Sequence, residues 1–135
     1  MKKNIFVDTS AFIAMRVFDD AKHKDAHKCL QHIKDEKIFL HTSNFILDEV
    51  YTYFCRHHDI AIEMANTLLN NPIITMHRVS AEDETKALQI LKKHNDKAFS
   101  YTDATSFALM KRVNLETAFS YDKHFLHYGF TLLSH

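Results

Sequence analysis

Four carboxylates in this sequence stand where side chains could act together: Asp8, Glu49, Asp103 and Asp122. Asp8 closes the apolar run Ile5-Phe6-Val7 and is followed by two hydroxyl residues, Thr9 and Ser10. Glu49 follows Asp48 early in an amphipathic stretch, Asp103 lies three residues after Ser100, and Asp122 ends the run Ala118-Phe119-Ser120-Tyr121. Each acid has an ordinary structural reading. Asp8 can cap a helix beginning near Ala11, Asp103 can complete a capping box with Ser100, and Asp48 with Glu49 can favour a helix macrodipole. Asp122 can start a turn. Four separate caps on one rim are less economical than one shared site. Gathered carboxylates repel unless a cation neutralises them, and an oxygen-only set suits a hard divalent ion, Mg²⁺ or Mn²⁺. The chemistry that follows is attack of metal-activated water on a phosphodiester.

The elements around these acids decide whether they meet. Ile5 to Val7 reads as a buried central strand, and residues 11–17 as a helix. Asp19-Asp20 opens a second helix with Ala26, Cys29, Leu30 and Ile33 at helical spacing. Ile38 to Leu40 is a second strand, and His41-Thr42-Ser43 caps a helix reaching about His57 with Leu47, Val50 and Phe54 inward. Asp59 opens a helix with Ile62, Ala65, Leu68 and Leu69 inward, stopped by Asn70-Asn71-Pro72. Ile73 to Met76 is a third strand. Ser80 caps a helix with Ala87, Leu88 and Leu91 inward, and Ser100 to Arg112 is a further amphipathic helix. Ala118 to Tyr121 is a fourth strand, and Gly129 precedes a last strand over residues 130–133. Strand and helix alternate throughout, which predicts an α/β fold with a central parallel β-sheet and α-helices on both faces. Strand-end and early-helix acids then share the carboxyl edge of the sheet, where ligands bind in such folds.

The composition narrows the class. A chain of 135 residues with 46% hydrophobic and 25% charged residues predicts one globular domain over residues 1–135. One Gly and one Pro disfavour a many-turned sandwich or barrel. Seventeen basic and 17 acidic residues give zero formal charge, so any nucleic-acid surface must be local. Arg16, Lys22, Lys24, Lys97 and Lys123 are the candidates for it. Cys29 and Cys55 form no C-x-x-C and read as two buried free thiols of a reducing compartment. No stretch approaches membrane-spanning length, so the expected location is cytoplasmic. Tyr51, Tyr53, Phe54, Ile60 and Met64 exceed what one stripe needs, which points either to association with a second copy or another protein or to internal packing.

In order along the chain, Val7-Asp8-Thr9-Ser10, Leu47-Asp48-Glu49-Val50, Tyr101-Thr102-Asp103-Ala104 with Ser106-Phe107-Ala108-Leu109, and Phe119-Ser120-Tyr121-Asp122-Lys123-His124-Phe125 together resemble the PIN domain nucleases. The resemblance spans nearly the whole chain and implies a PIN-like fold with an acidic pocket for Mg²⁺ or Mn²⁺. It assigns Asp8, Glu49, Asp103 and Asp122 to that pocket as metal-site and catalytic acids, with Ser10 and Ser120 as lining hydroxyls. The small size looks like VapC-type toxins and their stand-alone relatives, ribonucleases held inactive by a partner antitoxin. It implies an RNA substrate and, for a toxin but not for a stand-alone housekeeping relative, a cognate antitoxin.

Other readings meet specific obstacles. Haloacid-dehalogenase-type phosphatases need a second Asp two residues after the first, and that position is Ser10. A phospho-receiver domain needs paired acids before its first helix, and Asp8 has no companion. No H-E-x-x-H marks a zinc hydrolase; His23 and His27 read as a polar helix face, and His124 reads as a surface histidine ahead of the alternative that it touches phosphate near Asp122. The non-enzymatic alternative is a PIN-like module that binds RNA or protein. It gives no reason to keep four mutually repelling carboxylates.

Overall fold

In a computed structural model that describes residues 3–133, five strands form one wholly parallel sheet in the order β3-β2-β1-β4-β5. The strands are β1 (Asn4–Val7), β2 (Phe39–Ser43), β3 (Ile74–His77), β4 (Thr117–Phe119) and β5 (Thr131–Leu132). The helices between them are α1 (Thr9–Arg16), α2 (His23–Asp35), α3 (Asn44–Phe54), α4 (His58–Asn70), α5 (Ala81–Lys93), α6 (Tyr101–Arg112) and α7 (His124–Tyr128). The chain builds β1, β2 and β3 outward in one direction, then crosses back to lay β4 and β5 on the other side of β1. Because crossovers between parallel strands keep one hand, this reversal sends the helices to opposite faces. In keeping with that, α1 packs on α2 and α3, and α3 on α4, while α6 packs on α5 and α7. The reversal also opens a crevice at the carboxyl ends of β1 and β4, where neighbouring connections diverge.

The core explains why β1 has no polar alternation. Phe6 and Val7 are fully buried between the two helical layers, and Phe6, Phe107, Phe125 and Phe119 carry much of the aromatic filling. Helix α6 departs from the amphipathic expectation: Asp103 through Met110 are all buried. That stretch packs against α5 and α7 and joins the common core, so no face of it is left to water, while Tyr101, Lys111 and Arg112 at the helix ends are exposed.

Several boundaries and faces differ from the sequence reading. The second strand begins one residue later and runs to Ser43, because Thr42 Oγ1 donates to the Val7 carbonyl (3.1 Å) and Ser43 caps α3 from the strand's last position. Helix α2 starts at His23 instead of Asp19-Asp20, since the Asp20 carboxylate accepts from the Lys22 amide and holds a turn. In α4 Leu68 is inward as expected, but its buried companions are Ala61 and Met64, while Ile62 and Leu69 are exposed. In α5 Ala87 is buried and Leu88 exposed. The association stripe is mostly internal packing: Phe54 and Met64 belong to the core, and Tyr51 and Ile60 lie against it, leaving Tyr53 outside. Cys29 is buried as expected, but Cys55 is exposed beyond the end of α3. Among the described residues, no helix is long and apolar enough to cross a membrane.

An ion pair between buried Asp83 and exposed Arg112 fastens α5 to α6. Asp83 is only 1% exposed, and Arg112 meets it with two bonds of 2.9 Å, Nε to Oδ1 and Nη2 to Oδ2. Burial alone would raise the Asp83 pKa, but the Arg112 hydrogen bonds and the Ser80 capping box outweigh it and hold the carboxyl below its ordinary range. Arg112→Ala leaves this carboxylate without its cation, and we expect a loss of about 2–3 kcal/mol, less than for a wholly buried pair because the Arg112 side chain is 36% exposed. A thermal melt lowered by roughly 8 °C or more reports that loss. A melt indistinguishable from the parent's would show the pair to be idle.

Candidate active site

The crevice between β1 and β4 receives Asp8 from one strand end and Ser120-Tyr121-Asp122 from the other. Asp8 occupies the N-cap position of α1 but its side chain makes no cap hydrogen bond. Its Oδ2 instead accepts from Ser120 Oγ at 2.8 Å and from Ser10 Oγ at 3.1 Å. The two hydroxyl oxygens lie 3.3 Å apart, and the Tyr121 amide donates to Ser10 Oγ at 2.9 Å. These bonds end β4 at Phe119, earlier than expected: Ser120 Oγ accepts from the Asp122 amide (3.0 Å) and the Tyr121 amide turns to Ser10. Asp122 therefore stands on a turn beyond the strand, facing the start of α7. Tyr121 Oη donates to Asp25 on α2 at 2.5 Å, which ties that turn to the opposite helix layer.

Asp103 arrives from the N-terminus of α6. Its Oδ2 accepts from the Ser100 amide (3.0 Å), and its own amide donates to Ser100 Oγ (3.0 Å), a complete capping box. The same Oδ2 is 2.8 Å from His124 Nδ1, and that nitrogen is 3.2 Å from Asp122 Oδ1. His124 thus bridges two of the acids. One ligand atom each from Asp103, Asp122 and His124 lie within 4.8 Å of one another, a group able to hold a metal ion. Glu49, half-buried on α3, is joined to this rim through Thr9, whose Oγ1 donates to Glu49 Oε1 at 2.5 Å.

Electrostatics mark Asp8 as the strained member. It is 6% exposed, and its pKa is pushed up to about 6, chiefly by burial, with the charge of Asp103 adding to it. Hydrogen bonds from Ser120, the Thr9 backbone and Ser10 act in the other direction and do not win. A carboxylate held among other carboxylates with too little water is the setting in which a divalent cation is most favoured.

The structure brings Asp8, Asp103, Asp122, Ser10 and Ser120 into one connected cluster and reaches Glu49 through Thr9. The sequence reading missed His124 as a member. The Asp122-x-His124 spacing was visible, but α7 is only five residues long and offers no periodicity to orient the ring. The basic candidates scatter. Lys22 Nζ lies 5.8 Å over the Tyr121 ring, and Lys123 is exposed between Asp122 and His124. Lys97 pairs with Asp96 at 3.2 Å beside His124, whereas Lys24 is exposed on α2. Arg16, at the far end of α1 from Asp8, is engaged by Glu63 at 2.6 Å.

The sequence profile of the PIN domain matches residues 5–131. The chain belongs to the PIN domain family. This PIN domain is 34% identical over 128 residues to the 23S rRNA-specific endonuclease VapC20 of Mycobacterium tuberculosis, covering 93% of this chain and 95% of that protein. It is 29% identical over 121 residues to a VapC ribonuclease of Archaeoglobus fulgidus, covering 88% of this chain and 77% of that one. The crystal structure of Mycobacterium tuberculosis VapC20, described as a sarcin-ricin loop cleaving toxin, superposes with a TM-score of 0.86 at 31% identity, over 97% of this chain and 99% of that one. FitAcB from Neisseria gonorrhoeae, 15% identical and matching 96% of each chain with a TM-score of 0.69, shares the fold. The expected α/β PIN architecture is therefore present, with its crevice at the β1/β4 reversal.

Proposed function

We infer that this PIN domain is a Mg²⁺- or Mn²⁺-dependent endoribonuclease of the VapC type, one domain over residues 1–135 that hydrolyses RNA phosphodiester bonds. The observation that carries the reading is the set of ligand atoms from Asp103, Asp122 and His124 within 4.8 Å, next to the strained carboxyl of Asp8. Asp103 and Asp122 would hold the cation, with His124 offering a nitrogen and Asp8 and Glu49 further carboxylate oxygen. The carboxylates of the set suit Mg²⁺ and Mn²⁺. When bound, the cation polarises the scissile phosphate and activates water at neutral pH.

The chain's own residues supply position. Ser10 and Ser120 fix the Asp8 carboxyl, the Ser100 box fixes Asp103, and the His124 amide holds Asp122 Oδ1 at 3.0 Å. Thr9 does the same for Glu49. Charges held in such frames need no reorganisation during reaction, which is the main source of electrostatic catalysis.

The role of a toxin paired with an antitoxin belongs to this reading, as does a cytoplasmic location. Phe18, 87% exposed, and Tyr53 border a cleft of about 400 Å³ that offers apolar surface to an antitoxin or to a second copy in a homodimer. The alternative of a non-catalytic binding module leaves the burial of an ionisable Asp8 without a purpose, since that burial destabilises the fold. The test is incubation of the purified protein with a synthetic sarcin–ricin hairpin, and with total RNA, in chelator, Mg²⁺ or Mn²⁺. Discrete cuts only when metal is present are expected. Equal cutting in chelator removes the metal requirement, and no cutting of either RNA under any condition removes the nuclease.

A further inference from the structure

The loop between α5 and α6 crosses the rim beside the acidic cluster, and both its ends are anchored. The Lys97 amide donates to the His94 carbonyl at 3.1 Å, and the ring of Phe99 is buried edge-on against Phe107, 5.1 Å away, and against His124, 5.5 Å away. Lys97 is therefore presented outward from a fixed loop. Opposite it stand the first and fourth residues of α7, and Asp96, Lys97, Ala98, His124 and His127 together line a cleft of about 500 Å³. His124 forms a wall common to the cleft and the acidic cluster, because its Nδ1 contacts Asp103 and Asp122 while the same ring borders the cleft.

Resting on the nuclease reading above, we propose that this cleft seats the RNA nucleotide next to the scissile phosphate, with Lys97 on its phosphate and the His127 ring against its base. Three observations converge on that ligand. The cleft adjoins the cluster through His124, so an RNA strand whose phosphate lies at the acids must place a neighbouring nucleotide on one side or the other. Its volume falls within the range of pockets that take small organic ligands. Its lining has a cation and two imidazole rings, the groups that receive an unstacked base and its backbone in single-stranded RNA. A chain of zero net charge needs such a local cation, since a rim of carboxylates repels the polyanion it must admit. Asp96 holds Lys97 only by an exposed contact of 3.2 Å, which an RNA phosphate can replace at little loss.

The test is fluorescence anisotropy of a labelled sarcin–ricin hairpin in chelator, where binding is read without turnover. Lys97→Ala and His127→Ala should each weaken binding about tenfold, the first by loss of one charge-assisted contact and the second by loss of one ring stacked on a base. Lys97→Ala should also flatten the dependence of log Kd on log salt by about 0.7, one phosphate contact on a single strand. Lys97→Arg should restore affinity. Lys34→Ala, exposed in the last turn of α2 at the other edge of the sheet, should change neither quantity. With metal added, the two cleft variants should raise KM and leave kcat unchanged. Both sites are exposed, so melting near the parent's is expected for each variant. Parent-like Kd and salt slope in both cleft variants, with the parent still cutting RNA, overturns the cleft and leaves the nuclease standing. An equal loss in Lys34→Ala overturns it as well, by tracing the effect to overall charge. A parent that neither binds nor cuts removes both readings.

Discussion

Asp8→Asn is expected to lower RNA cleavage by about 10²-fold or more while making the metal-free protein more stable at neutral pH. The two effects have one cause, a carboxylate held where its charge is poorly solvated. Its pKa stands at about 6 in the fold, against an ordinary value of 3.8, first because of burial and then because of Asp103. The folded state thus binds the Asp8 proton more tightly than the unfolded chain does. Below the ordinary value both states are protonated and nothing is lost. As pH rises from about 4 through about 6, the folded state must give up a proton it favours, and stability falls. Above pH 7 the accumulated loss is about 3 kcal/mol. Asn keeps the shape and an acceptor for Ser10 and Ser120 but carries no charge to desolvate. In chelator at pH 7.5 the variant should melt roughly 5–12 °C above the parent, and the gap should close by about pH 4. Cleavage in Mn²⁺ should fall by about 10²-fold or more, as when a fixed electrostatic group is removed. A variant that melts below the parent in chelator at pH 7.5 contradicts the strain, and one that cuts at the parental rate contradicts the chemistry.

The parts of this arrangement that sequence reveals are those governed by local rules. Asp8 after an unbroken apolar run reads as the end of a buried strand, where the structure has it, and Ser100 with Asp103 announced a capping box that the structure contains. Where two faces satisfied the same period, sequence could not choose. Helix α4 offers Ala61, Met64 and Leu68 on one side and Ile62, Ala65 and Leu69 on another. Packing on α3 selects the first set, and propensity carries no record of that neighbour. The same limit hid the partner of Asp83, because Arg112 lies 29 residues away and only the docking of α5 on α6 brings them together. His124 was hidden for a different reason. Its place in the cluster depends on where a turn of Ser120, Tyr121 and Asp122 aims the start of a short helix, and that aim is set by bonds to Asp8 and Ser10 from the other end of the chain.

Asp103 should prove to be a cap and a metal ligand at once, and two substitutions separate the roles. Its Oδ2 accepts from the Ser100 amide and also touches His124, so one oxygen serves both. Asp103→Ala removes everything. In chelator the lost cap should destabilise by roughly 0.5–2 kcal/mol. Relief of the repulsion on Asp8 offsets part of that, because Asp103 is one of the causes raising the Asp8 pKa. Asp103→Asn retains an acceptor for Ser100 but no charge, so in chelator it should melt close to the parent. Metal then discriminates. For a dissociation constant near ~1 mM and ~10 mM Mg²⁺, linkage adds about 1.4 kcal/mol to the parent. That corresponds to a rise of roughly 4–6 °C, which both variants should lack. Cleavage should fall by about 10²-fold or more in each, including Asp103→Asn, whose fold is intact. A Mg²⁺-induced rise in Asp103→Asn equal to the parent's would reduce Asp103 to a helix cap and leave the cation to Asp122, His124 and Asp8.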